Sequence, residues 1–340
     1  MLVVYQYVYY DIYATNIMKL LSGLFAILLI VGLVFLSGCT DSSVSGVNGA
    51  GEGDTIYISG AFALYPMMIK WSEEYKKVNP DVNFEISAGG AGKGMTDVLS
   101  GMVDLGMVSR EIYPEEQSQG AIWVAVAKDA VVGTMNSDNP GLETVRKYGV
   151  TQSDLKEIYV NNSVTNWDQL SKMSSADSEI NVYTRADACG AASVWAKYIG
   201  DYAQEDISGI AVSGDPGLAE AVRADKYGVG FNNINYAYDP TTGLPVEGLA
   251  ILPLDLNENG IIDPEEDFYS TSAELLEAIA NGVYPSPPAR ELNIVTKDEF
   301  SGATKEFVKW ILTDGQQYVE ETGYIPLSSE ALEEYLERVG

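Results

Sequence analysis

The chain has no histidine among its 340 residues, only two cysteines, and 20 lysines and arginines against 49 aspartates and glutamates. Each shortage excludes something. Without histidine, the commonest general base and the commonest side-chain ligand of a catalytic transition metal are missing, so hydrolytic chemistry loses its usual instruments. A formal net charge of −29 provides no basic face to neutralise a nucleic-acid backbone. What is present suits folding. The composition is 46% hydrophobic and 20% charged, in a chain long enough for two lobes with their own cores.

An uncharged, predominantly apolar run, Leu20 to Leu36, follows Lys19 and ends in Leu36-Ser37-Gly38-Cys39. A basic start, an apolar stretch and small residues before a cysteine resemble a lipoprotein signal peptide. Residues 1–38 are therefore expected to be the signal, with Met18 a candidate start, and Cys39 to carry lipid on the outer face of the cytoplasmic membrane. An uncleaved anchor is the alternative, because the run approaches the roughly 20 residues that span a bilayer. The position of Cys39 favours lipidation. Asp41 to Asp54 is rich in Ser and Gly without apolar periodicity, so residues 39–54 read as lipid attachment and flexible tether. If Cys39 is lipidated, Cys189 has no partner for an internal disulfide.

Beyond the tether the pattern alternates. Thr55–Ser59 reads as a strand, with Leu64, Met67, Met68, Trp71 and Tyr75 at helical spacing behind Pro66. Asn83–Ser87 is a second strand, followed by a glycine loop and a helix carrying Met95, Val98 and Met102. Asp104–Val108 is a third. Ala121 to Met135 is a long β-rich stretch suited to crossing between lobes. Asn181–Thr184 and Val229–Asn232 read as strands, and 218–224, 273–280 and 304–312 as helices. Strands alternating with helices imply an α/β fold.

Three loops share one design, in which a strand ends, small residues turn and a helix starts: Gly60–Pro66, Gly89–Gly94 and Ala186–Gly190. Such turns aim unpaired backbone N–H groups and the positive end of a helix dipole at one place, which makes an anion site. Open α/β sheets bind ligands at the carboxyl ends of their strands, where these turns converge. Lys93, Arg110 and Arg185 stand near them. A P-loop is excluded, because Lys93 is followed by Gly94 rather than by Ser or Thr.

The blocks Ser59–Pro66, the glycine loop, Asp104–Arg110 and Thr184–Gly190, continued by Thr165–Asp168 and Gly323–Leu327, resemble the phosphate-binding proteins of ABC importers. The resemblance implies a two-lobe, type II periplasmic-binding-protein-like fold with two crossing segments as a hinge. It also implies capture of inorganic phosphate in the interlobe cleft, delivery to an importer permease, no catalysis, and a monomer. Carried over by position, Leu64 and Tyr65 offer backbone N–H groups, Arg185 grips the anion, Asp187 orients it, and Gly190 is a backbone donor. Gly92 and Ser109 lie in the matching loops. The family's usual hydroxyls are missing, since Ala61 or Phe62, Ala91, Cys189 and Ala191 stand in their places. Arg110 stands where some members have aspartate, and Lys93 is an added cation. A protonated phosphate needs an acceptor, for which Glu111 and Asp187 are the candidates. With neither facing inward, sulfate, molybdate or tungstate fits better. The lobes are expected at 55–130 plus 235–340 and at 131–234, with the return crossing near Phe231–Tyr238.

Residues 255–266 fit the calcium-loop pattern, with Asp255, Asn257 and Asn259 at positions one, three and five, and Gly260 at the turn. The Ile261 carbonyl, Asp263 through water, and Glu266 as the distal bidentate acid complete it. A structural calcium ion is expected there, against the alternative of an acidic surface turn. Two rival functions remain at this stage. One is a thiol enzyme using Cys189 as a nucleophile activated by a helix start and Arg185. The other is a surface protein with no small-anion site.

Overall fold

The structure, a computed structural model, describes residues 54–174 and 176–340; the expected signal peptide, Cys39 and the tether up to residue 53 lie outside the described residues. Strand β1 (Thr55–Gly60) turns Ile56 and Ile58 inward and Tyr57 outward, and pairs in parallel with β2 (Asn83–Ala88) and β3 (Leu105–Val108) on its two sides. Parallel neighbours require crossovers. Helices α1 (Tyr65–Val78) and α2 (Ala91–Leu99) supply them. In α1, Pro66 occupies the first turn, where no hydrogen bond is lost, and Met67, Trp71 and Tyr75 stack at four-residue intervals on one buried face. Lys76 and Lys77 close the helix at the negative end of its dipole.

The long strand expected at Ala121–Met135 is β4, 16 residues from Ala121 to Asn136. At about 3.3 Å per residue it is long enough to traverse two cores. Val124, Val126 and Ala127 belong to one hydrophobic cluster, with residues 56–127 and 292–339, whereas Ala130–Val132 and Met135 belong to a second. Around its far half stand β7 (Gly228–Asn233) and β8 (Leu249–Leu252), both antiparallel to it. Strand β5 (Asn181–Arg185) lies parallel to β7, and β6 (Ile210–Val212) parallel to β5. Helices α3 (Gly190–Gly200) and α4 (Gly214–Ala224) connect them. The order is β2-β1-β3-β9-β4-β7-β5-β6, where β9 is Ala289–Lys297 and β8 sits on β4 off this path. This is the two-lobe α/β architecture with crossing strands that the sequence predicts.

The lobe boundary differs from expectation. Apolar residues from Ala237 to Tyr284 pack in the second core, not the first, so the chain returns at β9 rather than near residue 235. The reason is hydrogen bonding. β8 is fully buried and takes its strand partner from Gly133–Asn136 of β4, which keeps its whole neighbourhood, including loop 255–266, in the second lobe. The return crossing is β9, antiparallel to β4 from Ala121↔Lys297 to Ala130↔Ala289. Among the described residues, no helix is long and apolar enough to cross a membrane.

Candidate functional site

The three predicted turns all form. β1 passes through a 3-10 turn at Phe62–Leu64 into α1, β2 runs into α2, and β5 runs into α3. They do not contribute alike. In the first turn the Leu64 N–H donates to the Ala61 carbonyl at 3.2 Å and the Tyr65 N–H to that of Phe62, so both predicted donors are engaged locally. At the other two, the N–H groups of Ala91, Lys93, Gly190 and Ala191 have no partner among the described residues. These are the unpaired first-turn donors of two helices, one from each lobe.

The two helix starts touch. The Gly92 N–H donates across the cleft to the Ala188 carbonyl at 3.0 Å. Gly190 lies so close to the other lobe that a β-carbon on it would stand 2.1 Å from the Ser109 carbonyl oxygen. Only glycine permits that approach. Glu111 and Lys197 add an exposed ion pair between the lobes at 3.2 Å. Beside these contacts lies an interlobe cavity of about 770 Å³ bordered by Gly92, Arg110, Glu111, Ala188, Cys189 and Arg290.

Arg185 ends β5 and is buried at 4% exposure. Its Nε and Nη2 meet the two oxygens of Asp187 at 2.9 and 2.5 Å, so the predicted orienting carboxylate is in place. A second one was not predicted: Asp215, 1% exposed at the start of α4, takes Nη1 at 2.5 Å. The signal was available, because Ser213-Gly214-Asp215 follows strand β6 as a fourth strand-turn-helix junction. A guanidinium has five N–H donors, of which three are engaged, leaving one on each terminal nitrogen for a ligand. Phe62 lies 5.4 Å from the guanidinium carbon by ring centroid, and Tyr236 of the second lobe donates to the Phe62 carbonyl at 3.2 Å. An aromatic plate thus occupies the place expected of a hydroxyl.

The charges are arranged so that the arginine stays ionised. Burial works against its charge, but Asp215 and Asp187 outweigh it and raise its pKa. Burial also works to raise Asp187, yet the Arg185 guanidinium and the Gly214 N–H hold its carboxyl below the usual aspartate value. Asp187 Oδ1 already accepts from Arg185 and Gly214, while Oδ2 has a single partner and faces the glycine turn of the other lobe, 2.8 Å from where a Gly90 β-carbon would stand.

Three expectations change here. Lys93 Nζ is bound to Asp97 one helical turn on, which also accepts from Ser59, so its charge is spent within its own lobe. Arg110 is taken bidentately by Glu116 at 2.6 and 2.9 Å and lies 4.1 Å over the Tyr113 ring. Neither is free to grip an anion. Cys189 is buried at the start of α3, and burial pushes its thiol up to about 12, the opposite of the lowering a nucleophile needs.

Loop 255–266 folds inward on itself. Asp255 accepts from the Asn259 and Gly260 N–H groups at 3.1 and 2.9 Å, and Glu266 from the Asn257 and Asp263 N–H groups at 2.9 and 3.3 Å. Gly260 makes the sharp turn at φ +89°. Asn257 and Asn259 both donate to Asp263 Oδ2, and Lys172 reaches Asp255 Oδ2 at 3.3 Å. Among the described residues, no three acidic, histidine or cysteine side chains converge as a ready metal cage.

A family model described as a PBP superfamily domain matches residues 45–315. The phosphate-binding protein PstS of Methanocaldococcus jannaschii is 25% identical over 88% of this chain and 89% of its own length. That of Bacillus subtilis is 26% identical over 81% of each. Among solved structures, a putative phosphate ABC transporter substrate-binding protein from Clostridium perfringens aligns with a TM-score of 0.65 at 23% identity, covering 81% of this chain and 100% of its own. An ABC-type phosphate transport receptor from Vibrio cholerae aligns at 0.58 and 21%, with the same coverage.

Proposed function

The chain belongs to the PBP superfamily, and from that membership we propose that it captures inorganic phosphate in the interlobe cleft and hands it to an ABC importer without transforming it. The Methanocaldococcus jannaschii and Bacillus subtilis relatives, which match most of its length, are named phosphate-binding proteins. The observation that carries the reading is the meeting of two helix starts, one from each lobe, with unpaired N–H groups at Ala91, Lys93, Gly190 and Ala191 beside a doubly anchored Arg185. Helix starts attract anions through those donors and the dipole together. Phosphate is favoured over a fully ionised oxyanion because Asp187 Oδ2, with one partner and facing the opposite turn, can accept its proton. Glu111 is the weaker candidate, because it is exposed and already paired with Lys197.

Calorimetry on the anion-free protein near neutral pH, with phosphate, sulfate, molybdate and tungstate in turn, tests the substrate. Phosphate should bind most tightly. Heat from tungstate or sulfate but not from phosphate would keep the site and reject the substrate.

The lipid anchor is part of this proposal, because a binding protein that serves a membrane permease gains from being tethered beside it. Cys39→Ser is expected to release or misprocess the protein. Fractionation and intact mass check this; unchanged mass and attachment would favour an uncleaved anchor.

We also propose a structural calcium ion in loop 255–266, with oxygens from Asp255, Asn257, Asn259, the Ile261 carbonyl, Asp263 and Glu266. The inward fold of both terminal acids and the turn at Gly260 support it. An ion that binds only the folded state stabilises it by about 2.7 kcal/mol at a hundredfold excess over Kd. Calcium should raise the melting temperature and a chelator lower it. A melting curve indifferent to both rejects the site.

A further inference from the structure

β4 and β9 are the strands that pass between the lobes, and the seam between the two cores falls at two register pairs, Lys128↔Glu291 and Asp129↔Arg290. Ala127 and Leu292 belong to the first core, Ala130 and Ala289 to the second, and between them Asp129 faces Arg290. Their side chains pair at 2.9 Å, with Asp129 1% and Arg290 8% exposed. Arg290 Nη2 donates to the side-chain oxygen of Asn233, at the end of β7. The Asn233 backbone N–H donates to Asp215 Oδ1 at 3.2 Å, and Asp215 Oδ2 holds Arg185. Asn232 adds a parallel tie. Its amide donates to the Asp215 carbonyl at 3.1 Å, and its oxygen accepts from Thr134 on β4 at 3.0 Å.

We infer that Asp215 and Asn233 are positioning residues that tie the anion-gripping Arg185 to the Asp129–Arg290 pair at the hinge, so that anion affinity depends on side chains that never touch the anion. This rests on the functional reading above. Every member of the chain is buried, so water does not substitute for a lost link. Arg290 Nη1 is buried without a partner among the described residues, which leaves the guanidinium's orientation to its remaining contacts with Asp129 and Asn233. A lobe rotation bends β4 and β9 at this seam, moving Arg290 relative to Asn233 and, through Asp215, altering the orientation of Arg185. Apparent affinity falls in proportion to the fraction of molecules in the binding-competent arrangement. Adjacency alone does not demonstrate coupling, so a variant remote from the ligand decides.

Asn233→Ala removes the oxygen that accepts from Arg290 and keeps the backbone N–H that holds Asp215. Phosphate affinity by calorimetry is expected to fall about tenfold, within the usual range of coupling between sites, and phosphate-induced compaction in X-ray scattering to shrink. Asn233→Asp, which retains an acceptor there, should recover both. A purely structural role would lower the melting temperature of the anion-free protein with affinity and compaction unchanged, and that result overturns the inference. Should Asn233→Ala fail to fold, Arg290→Lys, which keeps the charge beside Asp129 but cannot span to Asn233, is read the same way. If the wild-type protein binds none of the four oxyanions, the functional reading falls and this inference with it. If wild type binds and the folded variant binds equally well, only the inference falls.

Discussion

Arg185→Ala is expected to weaken phosphate binding by at least about tenfold, because hydrogen bonds to charged groups contribute roughly 1.5 to 3 kcal/mol each when buried. The two unengaged N–H groups, one on each terminal nitrogen, are the donors left for an anion. Stability should fall too, since Asp187 and the fully buried Asp215 would be left as carboxylates with no cation between them. The two effects separate with Arg185→Lys, which keeps the charge but cannot span Asp187, Asp215 and the ligand at once. Calorimetry should show weaker binding in both variants, with the lysine protein the more stable by thermal melting. Unchanged affinity in folded Arg185→Ala would reject the site.

The turns could be read in the sequence because each announces itself locally, as a strand running into small residues with a helical apolar face behind them. Gly89–Gly94 and Ala186–Gly190 are of this kind, and both helix starts present unpaired donors. Whether a charge near such a turn faces the ligand could not be read locally. Lys93 and Arg110 look like anion ligands by position, yet Asp97 and Glu116, four and six residues on, capture them. A partner of opposite sign three to six residues away is a competing prediction that sequence proximity to a turn cannot settle. Arg185 differs because its two carboxylates hold it at the cleft rather than away from it, and one of them comes from 30 residues downstream.

The lobe boundary failed for a related reason. β9 alternates imperfectly, with Arg290, Glu291 and Asn293 among its apolar residues, and follows the prolines of Ser286-Pro287-Pro288, so its pattern does not announce a strand. Two of those polar residues, Arg290 and Asn293, hold the seam. Arg290 pairs with Asp129 across the strands, and the Asn293 amide donates to the Arg110 carbonyl at 3.2 Å, fixing the segment that carries Ser109 against Gly190. The features that hid the crossing strand from a periodicity argument are the features that make it a hinge.

The ion pair at that seam gives the second large effect. Burial lifts the Asp129 carboxyl above its ordinary value against the pull of Arg290, so desolvation is the dominant influence on it. A buried pair of this kind contributes little net stability when intact, whereas removing one partner leaves the other uncompensated. Arg290→Met is therefore expected to destabilise the protein by about 3 to 5 kcal/mol. The double replacement Asp129→Leu/Arg290→Met removes both charges from the same space and should recover most of that loss. Denaturant unfolding of the two single variants and the double variant, in the absence of phosphate, measures the cycle. The stability recovered need not restore function. The double variant still lacks the donor to Asn233, so its phosphate affinity should remain low while its melting temperature returns toward that of the wild type. Full recovery of both would mean that the pair serves only to fill the seam, and a double variant no more stable than Arg290→Met would mean that the seam needs its charges.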